Sequence, residues 1–547
     1  MRRLTKLLVV SFCVPVAFAG ASPWRSTLYP INWTPQHADA EGRFLHDFSY
    51  AGYESGQRPL PPADSPATVT LQATDDEADD TARIQEAIDR VGENGGGVVL
   101  LGPGTFRVAP PEGSRAALHI THNGVVLRGS GPEATTIINT DPNMRQRDVI
   151  RVAPPNTPSR VWLRASGEPV PLAVDAENRS TRVRLAESAG VEAGDWIVLL
   201  ADATDEFIAD HDMTGLWNPR MGAVAFYRRV ARVSSDGLTV EIDIPLRYPL
   251  PTRDNARLQR TAPHLEQVGV ESLSIGMVEH PGEGFAANDY REEGTAAHEV
   301  HGAHIITFYH TVNAWIRDIH TARPETNEHD IHMVSNGFLL HMSRNITVTG
   351  CVVRKPQYKG AGGNGYGITF SGSDCLVTDS RVTHARHNFS FKSLWTSGNV
   401  VHRSRAEDAM LASDFHMHLS PANLFDAVTV NRDWLEARYR PWGTIVHGHP
   451  TTQSVFWNTI GEAAHPRAGV VVDSRQFGWG YVIGTQGEAT GVRTRPVLVP
   501  GSGPHPARDT SPEDFVEGVG EGATLVPQSL YEDQLRRRLG PRDRSER

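Results

Sequence analysis

Cysteine is scarce: the 547 residues hold three, Cys13, Cys351 and Cys375. So few thiols exclude a disulfide framework, and stability has to come from packing. Long apolar runs are missing too, apart from Leu7–Phe18, which follows Arg2, Arg3 and Lys6 and ends among the small residues Ala17, Ala19 and Ala21. That pattern predicts an export signal over residues 1–21, because a membrane anchor needs ~20 apolar residues. The expected location is secreted or periplasmic, with no membrane partner once the signal is removed. A basic excess is also absent: 53 Lys and Arg face 64 Asp and Glu, a formal charge of −11. Nucleic acid is therefore excluded as a partner, since phosphate backbones call for a basic face.

What the sequence does have is an ordinary apolar content, 39%, and 50 glycines, which fits a folded chain. Residues 79–108, DDTARIQEAIDRVGENGGGVVLLGPGTFRV, offer Asp80 or Thr81 as a helix N-cap and space Ile84, Ala87, Ile88 and Val91 along one helical face. Gly95, Gly96 and Gly97 stop the helix, and two β runs follow around the Pro103-Gly104 turn. Together with GVVLRGSGPEATTII at 124–138, this segment resembles the entry of the pectate-lyase-like and rhamnogalacturonase-like superfamily. The resemblance implies an all-β fold, a right-handed parallel β-helix whose open N-terminal end is capped by the helix, and a secreted polysaccharide-active function.

Downstream, rungs recur every ~20–35 residues between 269 and 485, the spacing of a solenoid. Several carry a polar turn residue, Asn313, Asn345, Asp374, Asn399 or Asn423, and stacked turns would align these side chains. Residues 155–262 break the rhythm and read as an inserted antiparallel β subdomain. The expected organisation is an N-terminal extension at 22–74, the start of the β-helix at 75–154, the insertion, the main β-helix at 263–500, and a tail at 501–547. Within the tail, Ser529–Leu539 has helical spacing, and the last six residues are expected to be disordered.

Strand parity points to a site. In residues 414–420, Phe415, Met417 and Leu419 alternate with Asp414, His416, His418 and Ser420, which predicts an acid and two imidazoles on one outer face. In the preceding rung, Phe389 and Phe391 point inward, while His384, Arg386, Asn388, Ser390 and Lys392 share the other parity. Arg405, Glu407 and Asp408 lie between these rungs, and His447 and His449 follow. Tyr366, Trp395 and Trp442, beside turns of the same rungs, are candidates to stack on sugar faces. Asp414, His416, His418, Arg386, Lys392, Glu407 and Asp408 are the candidate catalytic groups. His384, Arg405, Tyr366, Trp395, Trp442, His447 and His449 are the candidate substrate-binding groups.

Two chemistries fit this set. A lyase acting on a uronate needs a base, here His416 or His418, and cations to balance the developing charge, here Arg386 and Lys392. A glycoside hydrolase or transferase needs a carboxyl pair, here drawn from Glu407, Asp408 and Asp414. The lyase is favoured because basic groups outnumber acids. A non-catalytic glycan-binding fibre is the third reading. The expected partner in each case is a polysaccharide or oligosaccharide. No metal is assigned, although calcium is left open, and the acidic calcium cluster of pectate lyases is missing. As outward-facing groups, Asp414, His416 and His418 are expected to be replaceable with little change in thermal stability.

Overall fold

The computed structural model describes residues 22–74, 78–495 and 512–540. The expected export signal and the last six residues lie outside the described residues. Short strands stack in parallel register over the length of the chain, forming a sheet of 28 strands. Each coil contributes up to three strands, so the stack has three walls, and the chain is a parallel β-helix. Parallel crossovers of this kind coil right-handedly.

One wall runs from Ala116–Ile120 through Asp148–Val152, His304–Tyr309, the first half of Asn336–Thr349, Tyr366–Ser373, His387–Lys392, Ser413–Met417 and Leu435–Ala437 to Val472–Ser474. Apolar residues of alternate parity fill the coil. On this wall Phe370, Phe391 and Phe415 stack in register, with ring centroids 4.6 and 4.8 Å apart. A column of this kind is how each rung covers the next, and no rung buries its face alone. At the corners the polar residues align as expected: Asn399 Nδ2 donates to Asn423 Oδ1 at 2.9 Å, and Asn399 Oδ1 accepts from Cys375 N at 2.9 Å.

The helix Thr81–Glu93 closes the N-terminal end, with Ile84, Ala87, Ile88 and Val91 in the main core. Asp80 stands at the N-cap position without a side-chain cap bond; it accepts instead from Arg107 N at 3.0 Å, tying the helix to the first coil. Gly96, at φ 99°, is required there, because a Cβ would lie 2.8 Å from Gly124 O.

The insertion is a six-stranded antiparallel sheet within Val170–Gln259. It does not stand apart. Its core includes Leu394, Leu419 and Tyr439 of the coil, and Arg228 and Arg247 both reach the fully buried Asp374 at 3.2 Å. On a second wall, the row Leu376, Val400, Leu424, Val455 and Tyr481 faces outward yet is buried. Leu28, Tyr29, Trp33, Leu45 and Phe48 from the N-terminal segment cover it, together with Leu530 and Tyr531 of the helix Leu530–Leu539. Ser529 caps that helix by accepting from Glu532 N at 3.1 Å. The N-terminal segment meets the segment leading into this helix beside it, where Val526 N donates to Trp24 O at 2.8 Å.

Candidate functional site

Asp414 is the centre of a charged cluster on the first wall. Its neighbours in register are Ser390 on one coil and Glu436 on the next, and Phe415 points the opposite way into the core. Ser390 Oγ donates to Asp414 Oδ1 at 2.8 Å, and His416 Nδ1 donates to Oδ2 at 2.8 Å. His387 Nδ1 lies 3.0 Å from Oδ2 and donates to Ala412 O at 2.7 Å. Arg440 Nη1 lies 2.8 Å from the same oxygen and donates to His416 O at 2.9 Å, while Nη2 reaches Glu436 Oε1 at 2.7 Å. Burial works against the charge on Asp414, but His387, Arg440 and His416 outweigh it and hold the carboxyl well below its usual range. Burial likewise pushes His416 well below the ordinary imidazole value, so the ring is neutral near pH 7.

On His416 Nδ1, Asp414 Oδ2 can only accept and Arg440 Nη1, 3.0 Å away, can only donate; because Arg440 already has acceptors in Asp414, Glu436 and His416 O, the proton is assigned to Nδ1. With Nδ1 committed to Asp414, Nε2 is the basic nitrogen, and the Tyr366 hydroxyl donates to it at 3.2 Å. Lys392 Nζ sits 3.5 Å above the centre of the Tyr366 ring, a cation–π contact, and takes no hydrogen-bond acceptor among the described residues. A strand irregularity between Phe391 and Lys392 gives this placement, pairing Lys392 with Met417 rather than His416. Burial brings Lys392 down to about 8, opposed by Asp414 and reinforced by Arg386. His387 stacks on the other part of the group, 4.9 Å from the Tyr366 ring. His447 closes the cluster from the loop between Arg440 and Gly448, its ring 4.9 Å from that of His416. Trp217 of the insertion holds that loop by donating to Val446 O at 2.9 Å.

Several sequence expectations need correction. Glu407, Asp408, His384 and Arg405 do not join Asp414, because the strands Arg381–Thr383 and Arg405–Glu407 belong to a different wall, across a corner from His387–Lys392. There Glu407 is held between Arg381 and Arg405, and Asp408 pairs with Arg432. Asp414 therefore has neither Glu407 nor Asp408 as a partner carboxyl, and those two are engaged by arginines on their own wall. His418 leaves the row: the strand ends at Met417, and His418 takes φ 56° beside Trp217 and His447. Met417 and Leu419 do not line the coil; Met417 is half-buried and Leu419 packs into the insertion. Trp395 is 4% exposed beneath the insertion, with Nε1 donating to Ser371 O, so it offers no sugar platform. Tyr366 is buried and acts through its hydroxyl, and His449 is buried against His211 O. Trp442 is 46% exposed on the loop that carries His447, with the Arg438 guanidinium 5.5 Å from its ring. Arg386 is half-buried at the corner before His387.

His387, Glu436 and Arg440 were missed by strand parity. The signal that would have found Arg440 is a 24-residue spacing, which separates Ser390 from Asp414, Asn399 from Asn423, and His416 from Arg440.

His387, Asp414 and His416 place three ligand-type atoms within 4.8 Å of one another. The set is a poor cation site, because the Arg440 guanidinium already stands against Asp414 Oδ2 and 3.0 Å from His416 Nδ1. Its positive charge takes the place a metal would need.

No family model and no curated protein matches this chain. Among solved structures it is similar to the tailspike of Pseudomonas phage phi297, at 12% identity and a TM-score of 0.36, covering 77% of this chain and 69% of that one. It is similar to an alginate lyase from Paenibacillus, at 9% identity and a TM-score of 0.40, covering 78% and 98%. A tailspike of Acinetobacter baumannii bacteriophage AP22, solved with a capsular saccharide, shares 11% identity at a TM-score of 0.30, covering 77% and 73%. All are parallel β-helix proteins, as this chain is. For this chain the fold rests on its own strand register.

Proposed function

We propose that the chain is a polysaccharide lyase that cleaves a uronate-containing glycan by β-elimination. The observation that carries this reading is His416, oriented by Asp414 and in contact with Tyr366, with the half-buried Lys392 over the same Tyr366 ring and Arg386 near enough to act on Lys392. His416 Nε2 takes the proton beside the uronate carboxylate, and Asp414 stabilises the imidazolium that results. Lys392 and Arg386 balance the charge that builds on the carboxylate. As Nε2 takes that proton it releases the Tyr366 hydroxyl, which protonates the leaving oxygen, and the proton on His416 then returns to the tyrosinate. Trp442, exposed on the neighbouring loop, lies against the sugar chain.

The hydrolase reading loses support from the carboxyls that do come together. Asp414 and Glu436 are neighbours in register, but Arg440 grips both, and Glu436 is brought down to about 2, where burial is outweighed by Arg440 and Arg438. A glycosidase requires one carboxyl that keeps its proton near neutral pH.

The test is digestion of alginate, polygalacturonate and a neutral control glycan, followed by ultraviolet absorbance and by reducing ends. The expected result is unsaturated product from an acidic glycan. Reducing ends without absorbance would overturn the lyase, and no cleavage of any acidic glycan would favour a binding protein. Dialysis against a chelator is expected to leave turnover intact, because Arg440 supplies the positive charge beside Asp414.

A further inference from the structure

A second recess lies where the insertion meets the early coils, well away from Asp414. It has a volume of about 330 Å³ and is lined by Trp196, Tyr227, Asn123, His264 and Glu266, with Pro263 at its rim. Glu266 lies on the coil of the strand Asp148–Val152, and five coil-to-coil steps separate that strand from Ser413–Met417. At ~4.8 Å per step the recess is about 24 Å from the candidate active site along the axis.

The walls are rigid. Trp162, Tyr227 and Trp196 form a stack with centroids 5.5 and 5.0 Å apart, and the buried Arg344 guanidinium lies 5.0 Å from the Trp196 ring. Trp196 is thus fixed and only half-buried. The Tyr227 hydroxyl is 2.8 Å from His264 Nδ1; when it donates there, Nε2 carries the ring proton. Nε2 faces Glu266 Oε2 across 3.9 Å, too far for a direct hydrogen bond. Asn123 Oδ1 accepts from Glu266 N at 3.0 Å, which anchors the backbone of Glu266 beside the recess. Glu266 is 45% exposed, so its carboxylate is solvated and charged near neutral pH.

We infer that this recess is a binding site for a neutral sugar residue of a glycan. One sugar hydroxyl bridges the gap, accepting from His264 Nε2 and donating to the Glu266 carboxylate, and the sugar's apolar face lies against Trp196 and Pro263. The charge of Glu266 repels uronates, so this site selects the opposite class from the one Lys392 and Arg386 attract. The inference rests on the reading of the chain as glycan-active only in the choice of sugar as ligand. With both sites in use, the preferred substrate is a heteropolysaccharide that carries neutral as well as acidic units.

The experiment is calorimetric titration of the full chain with lactose, cellobiose, mannobiose and galacturonate. The expected result is saturable binding of at least one neutral disaccharide, weakened tenfold or more by Glu266→Gln and by His264→Ala and unchanged by Lys392→Ala. Melting curves of each variant confirm that it is folded, and Glu266→Gln, which keeps the shape of the side chain, remains informative if His264→Ala unfolds. Absence of binding by all three disaccharides, equal binding of galacturonate, or full affinity in Glu266→Gln would overturn the inference. Loss of turnover in Lys392→Ala with disaccharide binding intact bears on the lyase reading alone.

Discussion

Asp414 shows how far a single residue departs from what parity promises. It does sit outside the coil, as the alternation with Phe415 requires, but it is fully buried under His387, His416 and Arg440. Its replacement is therefore not neutral for stability. Asp414→Asn leaves Arg440 paired with Glu436 alone in a buried site, and removing one member of a buried ion pair costs on the order of 3–5 kcal/mol. We expect Asp414→Asn to lower both turnover and the thermal midpoint. His416→Ala is expected to cut kcat by about 10²-fold or more, the scale of a general base, with a smaller thermal effect. Calorimetry and initial rates on the two variants separate these outcomes, and equal melting of Asp414→Asn and wild type would refute the buried-pair account.

Lys392 supplies the pH dependence at this scale. Its ammonium is lost as pH rises through about 8, so turnover is expected to fall on that limb. Lys392→Arg, which stays charged, is expected to move the limb upward, and an unchanged limb would assign it to another group. Stability runs the other way. Between about 8 and the ordinary lysine value, the unfolded chain keeps a proton that the folded chain has released, so the folded state gains as pH rises. The Lys392 neighbourhood was only half legible in the sequence. Alternation placed Phe391 inward and Lys392 outward, but the slip that seats Lys392 over Tyr366 is a property of two paired strands and leaves no mark in either one.

Among elements, the capping helix and the insertion were the easiest to read, because each breaks the solenoid rhythm within one continuous stretch. The 3.6-residue spacing of Ile84, Ala87, Ile88 and Val91 reports burial on one face, and all four are buried. The placement of the insertion was not legible, since its docking depends on single residues far apart in sequence. Arg228, Arg247 and Asp374 are the main such contact. Asp374→Ala leaves two buried guanidiniums without their carboxylate and is expected to cost about 3–5 kcal/mol. Hydrogen exchange should rise in Ala223–Val233 and in the 441–447 loop that Trp217 tethers. Protection unchanged in both would show that the insertion is held by its apolar contacts alone. The error over Glu407 and Asp408 has the same origin: a corner of a few residues moves them to another wall, and linear distance from Asp414 does not reveal it.

For the molecule as a whole, the solenoid was foreseen from repeating rungs, but the covering of its second wall was not. Residues 22–74 read only as an N-terminal extension, and within them Leu28, Tyr29, Trp33 and Phe48 cover the row Leu376, Val400, Leu424, Val455 and Tyr481. A chain lacking residues 22–53 is expected to expose that row as a long apolar stripe and to self-associate, visible as a shift to larger species in size-exclusion chromatography. A monomeric, fully active truncation would contradict the covering role.

The meeting of Trp24 with Val526 carries a mechanical implication. A stack of coils fixed at one end can be unwound from its free end like thread from a spool. Here the segments around Trp24 and Val526 are bonded to each other on the flank of the coils, so unwinding from either side has first to break that contact. Joining them by a short linker and reopening the chain at an exposed turn, such as the one at Gly237, should give a permuted protein with the same arrangement of walls.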